Sequence, residues 1–296
     1  MDEALIRKQE EELQHTGRYY KHICFLCVPL LFVSCYLYGL RPLLLCGFAL
    51  LMGNLCDRLI SLLRRRVYRP GDYSNESFAL VIALLMPATV DWYVLAAAIV
   101  AGVLIGKEVF GGYGSYPFNP AAVGYAVAAV SWPEQVFRYP TPYTNIPLWD
   151  ASGVATASTI SDTLRSGGLI NLSGLSLALG EYAAPMGAGS ALVLAACGLF
   201  LWVQKDIKLS AALSFLVTAG VIVFLFPLLA HWFFKQVSDN VSQYIFVLAM
   251  VFLGAYLAHM AGLEPIIGAF LSGLALNRLI PRTSPLMNRI EFVGNA

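Results

Sequence analysis

Residues 92–122 read WYVLAAAIVAGVLIGKEVFGGYGSYPFNPAA, and on this stretch the class of the molecule turns. It opens as an apolar run fit for a bilayer. It then meets two charges at Lys107-Glu108 and loses regular helix at Gly111-Gly112-Tyr113-Gly114. Pro117, Asn119 and Pro120 follow before a second apolar run begins. Glycine and proline both interrupt helical hydrogen bonding. Backbone left unpaired at membrane depth survives only when buried in protein or lining a polar cavity. The stretch therefore reads in two ways: a tight structural connection, or a broken helix whose free backbone dipoles face a cavity, as in transporters.

Working outward, the whole chain fits a membrane setting. Of 296 residues, 58% are hydrophobic and only 12% charged, about half the roughly 25% usual in soluble domains. Mean hydropathy is +0.68. These values exclude a soluble enzyme, a nucleic-acid binder and a disordered tail, while the net charge of +1 says nothing about partners. Apolar runs lie at 23–38, 42–60, 78–90, 92–110, 120–132, 188–203, 209–230, 244–260 and 265–280. At about 20 residues per crossing, the expected fold is all-α, a polytopic transmembrane helical bundle of about 8 spans. Several runs are short, which predicts broken or re-entrant helices in the middle, with Pro87 as one break.

Basic residues set the expected orientation. Arg7, Lys8, Arg18 and Lys21 precede the first run, and Arg58, Arg64, Arg65, Arg66 and Arg69 cluster after the second. Positive charge stays on the cytoplasmic side, so the N-terminus is expected on the cytoplasmic side of the membrane. Residues 133–187 carry only Arg138 and Arg165 as basic residues, as a long extracytoplasmic loop should. Lys205 and Lys208 then return inside, and Trp92, Trp132, Trp149 and Trp202 stand at expected span ends as interfacial anchors. No cleavable signal segment is visible at the start.

Lys107 and Glu108 are transport candidates, since ionisable groups within a span mark ion paths or internal pairs. The bland alternative, favoured because they stand near a span end, is that both snorkel to the interface. Asn119, in the broken stretch, is a third transport candidate. In the long loop, Asp150-Ala151-Ser152-Gly153-Val154-Ala155-Thr156 reads as a small-residue turn leading into a short helix, with Thr156 open to a modifying enzyme. Cys24 and Cys27 share a helix face and read as packing rather than as a metal or redox pair. Neither a phosphate-binding loop nor a dinucleotide fingerprint is present.

Together these segments resemble a known family. Val109-Phe110-Gly111-Gly112-Tyr113-Gly114, then Pro117-Phe118-Asn119-Pro120-Ala121 and Val123-Gly124, are similar to the signature of RnfD/NqrB membrane subunits. These belong to Rnf complexes and to the sodium-pumping NADH:quinone reductase. Ala184-Pro185-Met186-Gly187 resembles the segment that follows the flavin loop in that family. The resemblance implies FMN joined by a phosphoester to threonine, in a pattern like D-x-x-[S/T]-[G/S]-A-T. Asp150, Ala155 and Thr156 match it, Gly153 and Val154 depart from it, and Ser152 lies within it. It implies Thr156 as the attachment oxygen, Asp150 as a recognition group for a flavin transferase, and a second non-covalent flavin or a cavity beside the broken stretch. It further implies partner subunits, and electron transfer between ferredoxin and NAD coupled to Na⁺ or H⁺ movement.

The C-terminal end resembles something else. Ala261-Gly262-Leu263-Glu264-Pro265-Ile266-Ile267-Gly268-Ala269-Phe270 and Ser284-Pro285-Leu286-Met287-Asn288-Arg289 look like part of a Kef-type cation:proton antiporter. The expected organisation is an RnfD-like domain over 1–226 and an antiporter-like helical fragment over 227–296. The two would meet near 222–232, by gene fusion or by the joining of two gene pieces. Two other readings stay open: a monovalent cation:proton antiporter, and a membrane scaffold that has lost its flavin.

Overall fold

The structure is a computed structural model that describes residues 3–64, 73–112, 116–151, 153–157, 159, 173–207, 209–237 and 239–277. Most of the described residues are helical. Two compact units divide the chain, Met1–Phe200 and Leu201–Ala296. Residue 226, the expected boundary, lies within the helix Leu209–Gln236.

In the first unit, α1 (Glu3–Tyr38) and α2 (Arg41–Leu63) are long. After them come α3 (Ser74–Leu85), α4 (Trp92–Ala101), a π-helix (Gly102–Glu108), α5 (Pro120–Ser131) and the one-turn α6 (Pro133–Val136). Strands β1 (Tyr139–Pro140) and β2 (Thr156–Ala157) pair antiparallel, and α7 (Gly174–Leu179) and α8 (Ala191–Val203) follow. The second unit holds α9 (Leu209–Gln236), α10 (Asn240–Met260) and α11 (Pro265–Asn277), with Phe226, Met250 and Leu276 at its core. Among the described residues, three helical stretches are long and apolar enough to cross a bilayer: Gly17–Tyr38, Arg41–Leu63 and Leu213–Gln236. Their outward stripes are apolar too. Phe25, Val28 and Phe32 recur along one exposed side of α1, and Leu51, Leu55, Leu59 and Leu62 do so on α2, at the spacing of a single helix face. A surface of that kind is stable against lipid and not against water.

Close approach in the first unit is made by glycine. A Cβ on Gly102 or Gly106 would stand 2.8 Å from the backbone of Pro120, and one on Gly124 would run into the Ala98 carbonyl oxygen. Small residues let membrane helices meet backbone to backbone, which packs α4 and the π-helix against α5.

The middle of the chain is broken, as the glycines and prolines require. α3 stops at Leu85, and Met86-Pro87-Ala88 runs buried into α4. The freed carbonyls find partners far along the chain. Gly187 N–H donates to Leu84 O at 2.7 Å and Met186 N–H to Met86 O at 3.1 Å. Ser34 Oγ in turn donates to Met186 O at 2.6 Å. Residues 184–187 thus plug the break. The second interruption ends the π-helix: Gly111 and Gly112 have φ of +119° and +91°, values open to glycine.

Candidate functional site

The π-helix carries the most unusual chemistry of the first unit. Lys107 is 2% and Glu108 7% exposed, so the expectation that both snorkel to the interface is corrected. Lys107 Nζ donates to Ser74 Oγ and Asn75 Oδ1, each at 2.9 Å, at the start of α3. Asp57 Oδ1 of α2 lies 3.9 Å from the same nitrogen. Arg64 Nη1 donates to Glu108 O at 2.7 Å and stands 3.6 Å from Glu108 Oε2. Three elements, α2, α3 and the π-helix, therefore converge on buried Lys107, while Glu108 pairs with the partly exposed Arg64. Their charges are compensated, as burial demands, and the wide i→i+5 turn lets adjacent residues, Lys107 and Glu108, both face inward. π-Turns recur at functional sites.

Asn119 plays a more local part. Its Oδ1 accepts from Ala121 N–H at 2.9 Å, which caps α5, and its side chain is exposed. It also lines a cavity of about 490 Å³ with Tyr19, Tyr20, Phe78, Tyr116 and Phe118. Tyr116 Oη is buried there with no hydrogen-bond partner among the described residues. Tyr113–Ser115 of the signature lie outside the described residues.

The second candidate region is the loop between α6 and α7. Its anchor went unnoticed in the sequence. Arg41, the first residue of α2, is fully buried. It donates to Val90 O at 3.1 Å, Pro147 O at 2.9 Å and Leu148 O at 3.2 Å, with its guanidinium 5.8 Å from the Trp92 ring centroid. Three main-chain acceptors from two distant segments need the planar fork of arginine. Val136, Ile146 and Ala151 join the core, and Val154 packs against it. Asp91, just before α4, accepts at Oδ2 from Gln135 Nε2 at 2.8 Å.

Held this way, the loop presents Asp150, Ala155 and Thr156 at the surface. Thr156 sits on a short strand and not on the expected short helix: it pairs with Pro140, and Ala155 O accepts from Thr141 N–H at 3.4 Å. Both departures from the flavin pattern have a structural place here. A Cβ on Gly153 would meet nothing within 4 Å, and Val154 serves as an apolar anchor. A phosphodiester on the Thr156 oxygen fits this surface, since the hydroxyl carrier is exposed and the backbone around it is paired. Ser152 lies outside the described residues. Beyond β2, Tyr143 Oη donates to Glu181 Oε1 at 2.7 Å. That bond pushes the tyrosine up to about 12 and holds the carboxyl below its ordinary range.

Comparison with known proteins adds three findings. The NQR2, RnfD, RnfE family model matches residues 9–285, a range that includes 222–232 and most of the antiporter-like end. The D-type member of the ion-translocating oxidoreductase complex of Pseudomonas aeruginosa (strain LESB58) is 37% identical over 129 residues, 42% of this chain and 37% of that protein. Proteins of the same name from Tolumonas auensis and Mannheimia succiniciproducens are 34% and 30% identical over 138 and 129 residues, each alignment covering 36% of the relative and 45% or 43% of this chain. The aligned stretches thus span little more than a third of the curated relatives.

Proposed function

The chain belongs to the NQR2, RnfD, RnfE family, and from that premise we propose that it is the D-type membrane subunit of an Rnf-like ion-translocating electron transport complex, with FMN bound covalently at Thr156. The complex passes electrons between ferredoxin and NAD and couples them to Na⁺ or H⁺ movement. It lies in the bacterial inner membrane with about 8 spans, its N-terminus cytoplasmic and its 133–187 loop outside. Residues 1–226 are the flavin-bearing part, and residues 227–296 keep their antiporter-like character. The relatives' names support the complex and its partner subunits. A transferase supplies the flavin: Thr156 Oγ bonds to the FMN phosphorus of a flavin dinucleotide, the P–O–P bond breaks, a nucleoside monophosphate leaves, and the hydroxyl proton passes to a base.

The observation that carries this reading is the surface position of Thr156 on a strand whose flanks are tied down. A modifying enzyme needs a reachable hydroxyl, and electron transfer needs a fixed one. Arg41 meets the second need by clamping residues 147 and 148, while exposed Asp150 offers the transferase a carboxylate. When bound, the flavin supplies electron transfer, and the protein sets its position and environment. A second, non-covalent flavin is assigned to the cavity beside Tyr116 and Asn119, whose walls are aromatic.

The ion path is assigned to the cluster at Lys107 and Glu108. Lys107 Nζ sits among oxygens of Ser74, Asn75 and Asp57, the donor type that hard cations take. An arriving cation or proton changes the charge balance there, so the cluster responds to ion occupancy.

The test is direct. Coproduced with a flavin transferase, the chain should show in-gel flavin fluorescence that survives denaturation and is lost in Thr156→Val. Fluorescence that persists in the variant moves the attachment to another hydroxyl, Thr159 first. A wild type without it leaves the flavin-less scaffold or the antiporter.

A further inference from the structure

An open cavity of about 720 Å³ lies over the end of α1, within the usual range of small-molecule sites, about 300–1,000 Å³. One wall is Tyr36, Gly39 and Leu40, and the other is Tyr143, Thr144 and Asn145. Both tyrosines are exposed, with ring centroids 5.9 Å apart and edges turned to faces. The wall is built to last. Gly39 has a φ of +80° and admits no Cβ, which would run into the Asn145 side chain. Ile146 N–H donates to Tyr38 O at 3.3 Å, and the bond to Glu181 holds the Tyr143 hydroxyl.

This wall and the attachment strand are one piece of structure. Thr144 Oγ1 bonds Thr141 Oγ1 at 2.7 Å. Thr141 N–H reaches Ala155 O, and the next residue, Thr156, pairs with Pro140. We propose that the cavity seats the isoalloxazine ring of the flavin borne on Thr156, a proposal that rests on the covalent-flavin reading above. The ring has flat apolar faces and a polar edge. Tyr36 and Tyr143, at right angles to each other, offer it one ring face and one ring edge along one side, since aromatic pairs favour stacked or edge-on contact, and Asn145 and Thr144 meet its polar edge. The open mouth explains the tether: a seat open to solvent holds a free ring weakly, whereas a short link supplies an effective concentration on the order of millimolar.

Photophysics tests the seat apart from the bond. A tyrosine touching an excited isoalloxazine quenches it by electron donation, and phenylalanine does not. In the folded wild-type protein, coproduced with the transferase, the fluorescence per attached flavin should be low and rise several-fold on denaturation. Tyr143→Phe and Tyr36→Phe should each keep the in-gel label and raise the folded-state fluorescence, while Tyr93→Phe, outside the cavity, should not. A labelled wild type whose fluorescence is the same folded and denatured overturns the seat and leaves the attachment standing. An equal rise in Tyr93→Phe also overturns it. A wild type with no denaturation-resistant fluorescence overturns both the seat and the attachment.

Discussion

Lys107 shows what one buried charge imposes on its surroundings. Its ammonium reaches a serine, an asparagine and an aspartate from two other helices, so removing it strands polar groups of both. Lys107→Met should cost about 3 kcal/mol, as breaking a buried ion pair does, read as earlier unfolding in a detergent titration. Adding Asp57→Asn should recover part of the loss, because the two changes share one interaction. The sequence made Lys107 and Glu108 visible as charges inside an apolar run, yet it favoured their escape to the interface. The partners that hold them inward stand some thirty to fifty positions earlier in the chain, beyond what local periodicity reports. Arg41 was hidden for the same reason: an arginine between two apolar runs looks like a loop charge until the residues it clamps are known.

At the scale of elements, breaks and glycines decide how the first unit is packed. Gly124→Val should cost about 2 kcal/mol, the usual penalty of overpacking, because Ala98 and Ile82 leave no room for a side chain. Gly198→Ala, with nothing within 4 Å of the new methyl, should leave the detergent midpoint unchanged and serves as the control. The positions of the helices were largely legible in the apolar runs: the run at 120–132 became Pro120–Ser131 and the run at 244–260 became Asn240–Met260. The π-turn was not, since one extra residue per turn leaves hydropathy untouched. The strand at Thr156 was missed as well, because two residues are too few for alternation to register and their partner at 139–140 is fixed by the loop.

For the whole molecule, the testable statement is its orientation in the bilayer. In a background with the six free cysteines replaced, Trp149→Cys should react with an impermeant maleimide in intact cells. Gln204→Cys should react only after permeabilisation. Labelling in the reverse order would invert the topology drawn from the basic residues. The plug formed by residues 184–187 carries a further consequence for biogenesis. As the nascent chain leaves the ribosome, the helices on either side of Pro87 enter the translocon well before their plug has been synthesised. Their open carbonyls must wait, shielded by the insertion machinery or by a passing water defect. A ribosome stalled short of Ala184 would therefore release a product that inserts but cannot mature, a natural target for membrane proteases.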